Sequence, residues 1–326
     1  MRATLQQQVM SSSLERSNPE HNPVMLREAL DQLQCRSGGI YVDATLGMAG
    51  HAQGMLQRTE PDGMLIGIDR DKNSLEIARS FLKPYENRVR LFHENFKNLP
   101  LILNNLSLGP IDGILVDLGV SSYQLLSAER GFSFHGEGML DMRMDRSQRL
   151  TAADLVNELS QEQLADVIYK YGEERLSRKI AAAIAAEREK AQITRCSQLA
   201  DIVARVLKVR GHGHIHPATR TFQALRIAVN QELEGLDSFF DEAVAYLKPG
   251  GRMVVIAFHS LEDRIVKTAF KRLSGQCICN RPAGLCVCPR QSVVRVITHR
   301  PLRAGAAELT ENPRARSARM RSIERV

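Results

Sequence analysis

Tryptophan is absent from this chain of 326 residues, and phenylalanine and tyrosine bring the aromatic content only to 5%. No uninterrupted apolar run approaches the roughly 20 residues that a membrane span requires. Residues 180–186 and 253–258 are among the longest such runs. The first 20 residues lack the apolar stretch of a secretory signal, so the expected setting is the reducing cytoplasm. The six cysteines are therefore not expected to form a disulfide framework. No internal repeat is visible. With 43% apolar and 25% charged residues, collagenous, low-complexity and largely disordered readings are excluded. The length suits one large core with a smaller appended one.

Net charge is +7, unevenly placed. From Arg264 to Val326 there are 14 basic and 3 acidic residues, while the preceding part carries a local −4. A near-neutral body with a basic end suits a phosphate-backbone partner, although a solvated tail without a partner explains the same composition. Residues 1–20 read as a disordered lead-in. Helical spacing begins at Pro23, with Val24, Leu26, Leu30 and Leu33 apolar. β-rich runs at 40–45, 64–70, 88–94 and 111–119 then alternate with helical patterns near 51–58, 72–82 and 97–106. Such units imply a parallel sheet covered on both faces. The alternation stops after Gly119. A loop-rich stretch leads into three successive helices from Thr151 to about Arg210, read as a helical insert. The sheet pattern resumes with one long helical region at 217–247, a turn at Lys248-Pro249-Gly250-Gly251, a strand at 252–260, a helix at 261–273 and a last strand at 293–298. The expected domains are a sheet domain at 21–122 and 215–310, a helical substrate-recognition insert at 123–214, and a basic C-terminal tail at 311–326.

In an open α/β sheet, ligands sit beyond the carboxyl ends of the strands. Three predicted strand ends carry polar residues suited to that place: Asp43-Ala44-Thr45-Leu46-Gly47-Met48-Ala49-Gly50-His51, Gly67-Ile68-Asp69-Arg70-Asp71 and Val116-Asp117-Leu118-Gly119. Small residues at 47, 49 and 50 let a ligand approach the backbone, and Asp69 follows Gly50 by 19 positions, an interval suited to gripping a ribose diol. The plainer alternative is that Asp69 caps the next helix and the glycines merely turn. The G-x-G-x-x-G fingerprint of dinucleotide sites is missing, so a mononucleoside ligand such as S-adenosylmethionine fits better.

These blocks resemble the RsmH (MraW) family. So do Glu129-Arg130-Gly131-Phe132-Ser133-Phe134, Leu140-Asp141-Met142-Arg143-Met144-Asp145, His216-Pro217-Ala218-Thr219-Arg220-Thr221-Phe222-Gln223-Ala224, Phe258-His259-Ser260-Leu261-Glu262-Asp263-Arg264 and Glu311-Asn312-Pro313-Arg314-Ala315-Arg316-Ser317. Members of that family methylate N4 of a cytosine in the decoding region of 16S ribosomal RNA. The resemblance runs from about His21 to the C-terminus. It implies a class I S-adenosylmethionine-dependent methyltransferase fold (Rossmann-like, with a mostly parallel sheet and an inserted helical domain) and a small-ribosomal-subunit RNA as substrate. It also implies cofactor contacts at Ala49, Gly50, His51, Asp69, Phe96, Asp117 and Gln124. Two departures stand out: Ala49 where the family usually has Gly, and Tyr123 where it usually has Pro. The alanine is tolerable unless its φ must be positive.

The cytosine amine is a poor nucleophile, so such an enzyme mainly aligns the reactants and excludes water. Candidates for an acceptor near the amine are Asp117, Ser121, Ser122, His259 and Glu262. His259 and Glu262 read equally as helix-start capping, and Asp117 is favoured as a cofactor-positioning residue. The target base must be unstacked or flipped. Phe132 and Phe134 are candidates to stack on it, with core packing as the alternative. Arg143, Arg220, Arg314, Arg316 and Arg319 are the candidate phosphate contacts. Cys277, Cys279, Cys286 and Cys288 form two C-x-C pairs that could present four thiolates to zinc, though the pairs are tighter than usual. Cys35 and Cys196 read as packed thiols, and His212-x-His214-x-His216 as a loop. Two competing functions stay open, a DNA cytosine-N4 methyltransferase and a non-catalytic ribosome-assembly RNA binder. The sequence leaves oligomeric state open.

Overall fold

The computed structural model describes residues 23–134, 137–207, 216–279, 281, 285–288 and 291–326. The predicted lead-in, His212 and His214 lie outside them. The first element among the described residues is helix α1 (Leu26–Leu33), followed by β1 (Ile40–Asp43), α2 (Gly50–Arg58), β2 (Met64–Asp69), α3 (Lys72–Phe81), β3 (Val89–His93), α4 (Leu99–Asn105) and β4 (Ile111–Asp117). A helical stretch follows: α5 (Ser122–Leu126), α6 (Ala152–Glu158), α7 (Gln161–Gly172), α8 (Ser177–Arg188), α9 (Cys196–Leu207), α10 (Thr219–Asn230) and α11 (Leu236–Ala245). The chain closes with β5 (Leu247–Ala257), α12 (Ser260–Leu273), β6 (Val294–Val296), α13 (Ala306–Glu311) and β7 (Arg319–Arg325).

The seven strands form one sheet in the order β3-β2-β1-β4-β5-β7-β6. Pairings from β3 to β5 are parallel, and β7 runs antiparallel to both neighbours. Val42, Ile66, Ile114 and Val116 on one face and Leu65, Leu115, Val254 and Ile256 on the other enter two separate apolar cores. Burial on both faces explains why these strands read as continuous apolar runs. The strand order reverses between β1 and β4, which opens a crevice above their carboxyl ends.

A third core joins Phe132, Leu140, Met142 and Met144 to helices α6 to α10. Helix α10 therefore packs with the helical layer, through Phe222, Leu225 and Val229. The long helical region expected over 217–247 consists of two helices. Gln231 adopts a left-handed conformation (φ 48°) and its N–H caps the Ile227 carbonyl, ending α10; Gly235 (φ 68°) then starts α11. A glutamine carries none of the usual stop signal, so the break was hidden.

The expected basic tail is also corrected. Residues 319–325 are β7, inserted between β5 and β6, with Met320, Ser322 and Ile323 fully buried. Its charges concealed it because they are satisfied internally. Arg321 Nε donates to Asp263 Oδ1 at 2.6 Å, Glu324 pairs with Arg252 at 2.9 Å, and Arg325 Nη1 donates to the Leu247 carbonyl at 2.6 Å.

Candidate active site

The loop after β1 is braced by the ends of three strands. Asp43 Oδ1 accepts the Thr45 N–H at 3.2 Å, and Thr45 Oγ1 in turn accepts the backbone N–H of Asp117 at 2.6 Å. Asp69 Oδ2 accepts the Gly47 N–H at 2.7 Å, while Oδ1 accepts the Asp71 N–H at 2.8 Å. The cap of α3 is Asp71, which accepts from Asn73, so the alternative reading of Asp69 as that cap does not hold. Gly47 (φ 52°) and Ala49 (φ 67°) both turn left-handed to bring the chain into α2. The positive φ at Ala49 is the condition under which an alanine is strained, by about 1–2 kcal/mol. Its methyl, fully buried in the core beneath the loop, offsets part of that through about 0.8 kcal/mol of apolar burial.

Above these strand ends lies a cavity of about 300 Å³, at the lower end of the range for small-molecule sites. Gly50, His51, Asp69, Phe96, Asp117 and Gln124 all line it. Ala49 does not; it shapes the loop from below. Ser121, Ser122 and Glu262 line it as well, whereas His259 stands behind Glu262. The helical layer supplies Met144, Arg226 and Glu232 to the wall, and the C-terminal segment supplies Arg314 and Ser317. Sequence reasoning missed Thr45, Arg226 and Glu232. The last two form a bidentate pair at 2.9 and 2.8 Å between α10 and the turn after it. On a helix wheel they look like an ordinary solvated pair.

The acids of the site divide by environment. Burial raises Asp43 to about 7, with Asp69 adding repulsion and the Thr45 amide opposing. Burial raises Asp69 to about 6 against the Asp71 and Gly47 amides. Asp117 is raised well above the ordinary carboxylate range by burial and by repulsion from Asp43 and Glu262. Its Oδ1 is buried without a hydrogen-bond partner, and its Oδ2 lies 3.8 Å from His51 Nδ1. The other ring nitrogen, Nε2, is 3.0 Å from the Val24 carbonyl. Burial alone would raise Glu262 too, but the His259 hydrogen bond, the fields of His259 and Arg226, and the Phe258 amide pull it down. His259 is the N-cap of α12 in a capping box with Glu262, so the capping reading of that pair is correct.

Gln124 and Ser121 form a second capping box, at the start of α5. Gln124 Nε2 also donates to Asp71 Oδ2 at 2.9 Å, and the buried Arg130 pairs with the same oxygen at 2.7 Å. Arg130 then donates to the carbonyls of Arg143 and Met144, tying the sheet edge to the helical layer.

The remaining candidates sort by exposure. Arg220 and Arg316 face solvent, with Arg220 3.7 Å from Glu174. Arg314 is half-buried at the cavity wall and donates to Ser122 Oγ. Arg143 and Arg319 are held by the fold instead. Arg143 makes a bidentate pair with Asp141 at 2.8 Å and donates to the Gln148 carbonyl at 2.7 Å; Arg319 lies 3.3 Å from Asp263. Phe132 and Phe134 pack in the helical core, Phe134 stacked on His216 at 4.2 Å. Burial pushes the Cys35 and Cys196 thiols up to about 12 and about 11.

A profile of the MraW methylase family matches residues 18–326. The chain belongs to the MraW methylase family. It is 51% identical over 308 residues to the ribosomal RNA small subunit methyltransferase H of Geobacter sulfurreducens, covering 94% of this chain and 99% of that one. It is 47% identical over 309 residues to the protein of the same name from Halothermothrix orenii, covering 94% and 99%. Among solved structures it is similar to an rRNA methylase from Streptococcus thermophilus (TM-score 0.36, 9% identity, 95% of this chain and 98% of that one). It is also similar to Aeropyrum pernix fibrillarin in complex with S-adenosylmethionine (TM-score 0.39, 9% identity, covering 95% and 85%). As a MraW methylase the chain is a class I S-adenosylmethionine-dependent methyltransferase, and S-adenosylmethionine is its cofactor. The residues present fit that group. Asp117 Oδ1 is a buried acceptor with no donor of its own, and Asp69 keeps lone pairs free beyond its two amide bonds.

Proposed function

We propose that this MraW methylase transfers the methyl group to the exocyclic N4 of a cytosine in the decoding region of 16S ribosomal RNA, and that the crevice between β1 and β4 is where it does so. The observation that carries the reading is the unpartnered buried Oδ1 of Asp117 on a cavity whose wall is shared by the sheet, the helical layer and the C-terminal segment. The relatives' name, small-subunit rRNA methyltransferase, supports the substrate class.

The cofactor, when bound, supplies an already activated sulfonium methyl. The protein's part is alignment and exclusion of water, which can contribute roughly 7–11 kcal/mol to the rate. In this reading Asp69 accepts the ribose hydroxyls, Phe96 lies against the adenine, and the Gly47–His51 turn keeps the backbone close to the remainder. Asp117 positions the cofactor through the acceptor that has no internal donor. Gln124 acts through Asp71 and Ser121 by fixing the start of α5, and Glu262 and His259 hold the start of α12. A base inside a helical stack cannot enter a cavity of this kind, so the target cytosine is extruded from its RNA. Arg314, on the cavity wall, is the residue we assign to a phosphate beside the extruded base.

The test is mass mapping of cytosine methylation in ribosomal RNA from a strain lacking this protein, paired with tritium transfer from labelled cofactor to isolated small subunits and to DNA. Loss of one N4-methylcytosine and transfer to the subunit alone is the expected result. Transfer to DNA would move the chain to the DNA-modifying reading. Cofactor binding without transfer to either substrate would make it an assembly factor.

A further inference from the structure

Between α12 and β6 the chain leaves the sheet and returns, and among the described residues of this excursion none belongs to the buried cores. Its base is closed by the Val293 N–H donating to the Leu273 carbonyl at 2.9 Å, just before Gly275 (φ 73°) turns the chain outward. Among its described residues, apolar side chains face solvent: Leu285 is 66% and Val287 79% exposed. Apolar burial therefore does not hold this segment. Four sulfurs nevertheless meet within it. Cys277 Sγ lies 3.5 Å from Cys279, 3.4 Å from Cys286 and 3.9 Å from Cys288, and Cys279 lies 3.6 Å from Cys286. All four sulfurs are within 4.8 Å of one another.

A tetrahedral zinc with Zn–S bonds of about 2.3 Å separates its sulfurs by about 3.8 Å. The observed separations cluster around that edge length. They are well beyond the S–S bond of a disulfide. An iron–sulfur cluster spreads its thiolates over separate irons, a wider arrangement than four sulfurs sharing one centre. We infer that Cys277, Cys279, Cys286 and Cys288 form a structural zinc site that folds the excursion between α12 and β6. Four protein ligands close the coordination sphere, so the metal takes no part in methyl transfer. None of the four cysteines lines the cofactor cavity. The tight C-x-C spacing is accommodated because each pair contributes two vertices of one tetrahedron, and Cys277 and Cys279 of the first pair both lie within 3.6 Å of Cys286 of the second. Binding free energy at such a site becomes folding free energy, and the described residues of this segment bury little apolar surface that could replace it.

The test uses the full-length chain, purified under reducing conditions without chelator. Elemental analysis is expected to give about one zinc per chain, and Cys286→Ser/Cys288→Ser to bring it below about a tenth. Calorimetric affinity for S-adenosylmethionine should be unchanged in that variant. Replacing zinc by cobalt(II) should give the intense visible bands and sulfur-to-cobalt charge transfer of a tetrahedral thiolate centre. Wild-type protein with no zinc and four freely reactive thiols would overturn the inference, as would two disulfides or bound iron. If the double variant does not fold, the wild-type stoichiometry and the cobalt spectrum still decide the question.

Discussion

Asp69 has both carboxylate oxygens engaged by backbone amides before any ligand is considered, Gly47 on one and Asp71 on the other. That makes it a brace for the loop as well as a candidate diol acceptor, and the two roles fail together. Asp69→Ala should weaken S-adenosylmethionine binding by roughly 10- to 150-fold, the effect of losing a charged hydrogen bond of about 1.5–3 kcal/mol. Asp69→Asn should lose nearly as much, because its amide N–H₂ must face one of two N–H donors; calorimetric titration of both variants checks this. The same residue carries a pH signature. Asp69 is raised to about 6 and Asp43 to about 7, both chiefly by burial. Between the unfolded value near 4 and these folded values the native apoprotein binds more protons than the unfolded chain, so its stability falls as pH rises through that window. A cationic cofactor favours the ionised acids, so its affinity should move the opposite way, rising between about pH 5 and 7 with protons released on binding. Titrations in buffers of different ionisation enthalpy measure that release, and a buffer-independent heat would uncouple these acids from the ligand.

Individual elements differed in how plainly they could be read. Strands β1, β2 and β4 were legible because burial on both faces leaves a nearly unbroken apolar run, and the loop after β1 because only small residues permit its turns. Strand β7 was not. Residues 319–325 mix three arginines and a glutamate with Met320, Ser322 and Ile323, a pattern indistinguishable from a solvated tail until Asp263, Arg252 and Leu247 are known to stand opposite. The walls contributed by Arg226 and Glu232 were hidden for the same reason, since only the fold tells which face of α10 points at the cavity. Asp263 tests this account of β7. It pairs with Arg321, which is buried, and with Arg319. Asp263→Ala leaves the Arg321 charge buried and should destabilise the protein by about 3 kcal/mol, read as a lower urea midpoint at neutral pH. Burial alone would raise Asp263, but hydrogen bonds and charge from Arg321 and Arg319 hold it below the usual range. Its contribution is therefore present above the unfolded value near 4 and is lost as pH falls below it. The gap between wild type and Asp263→Ala should narrow on acidification.

Over the whole molecule, the basic C-terminal end is not a uniform field. Arg319, Arg321 and Arg325 are held by internal partners, so the local excess of positive charge overstates what an RNA would meet. Arg220 and Arg316, on the helical layer and the C-terminal segment, face solvent, and both of these parts of the fold contribute to the cavity wall. An RNA that places a cytosine in the cavity would run between them. Each phosphate contact with a single strand contributes about 0.7 to the slope of log affinity against log salt. Arg316→Ala should therefore weaken binding to a small-subunit rRNA fragment and flatten that slope by about 0.7, and Arg220→Ala should act similarly, with cofactor affinity unchanged in both. Arg143 provides the contrast. Its guanidinium is locked on Asp141 and the Gln148 carbonyl, so Arg143→Ala should lower the melting temperature and leave the salt slope alone. Anisotropy titrations across a salt series separate the two behaviours. A slope unchanged by Arg220→Ala and Arg316→Ala but reduced by Arg143→Ala would place the RNA path on the other side of the helical layer.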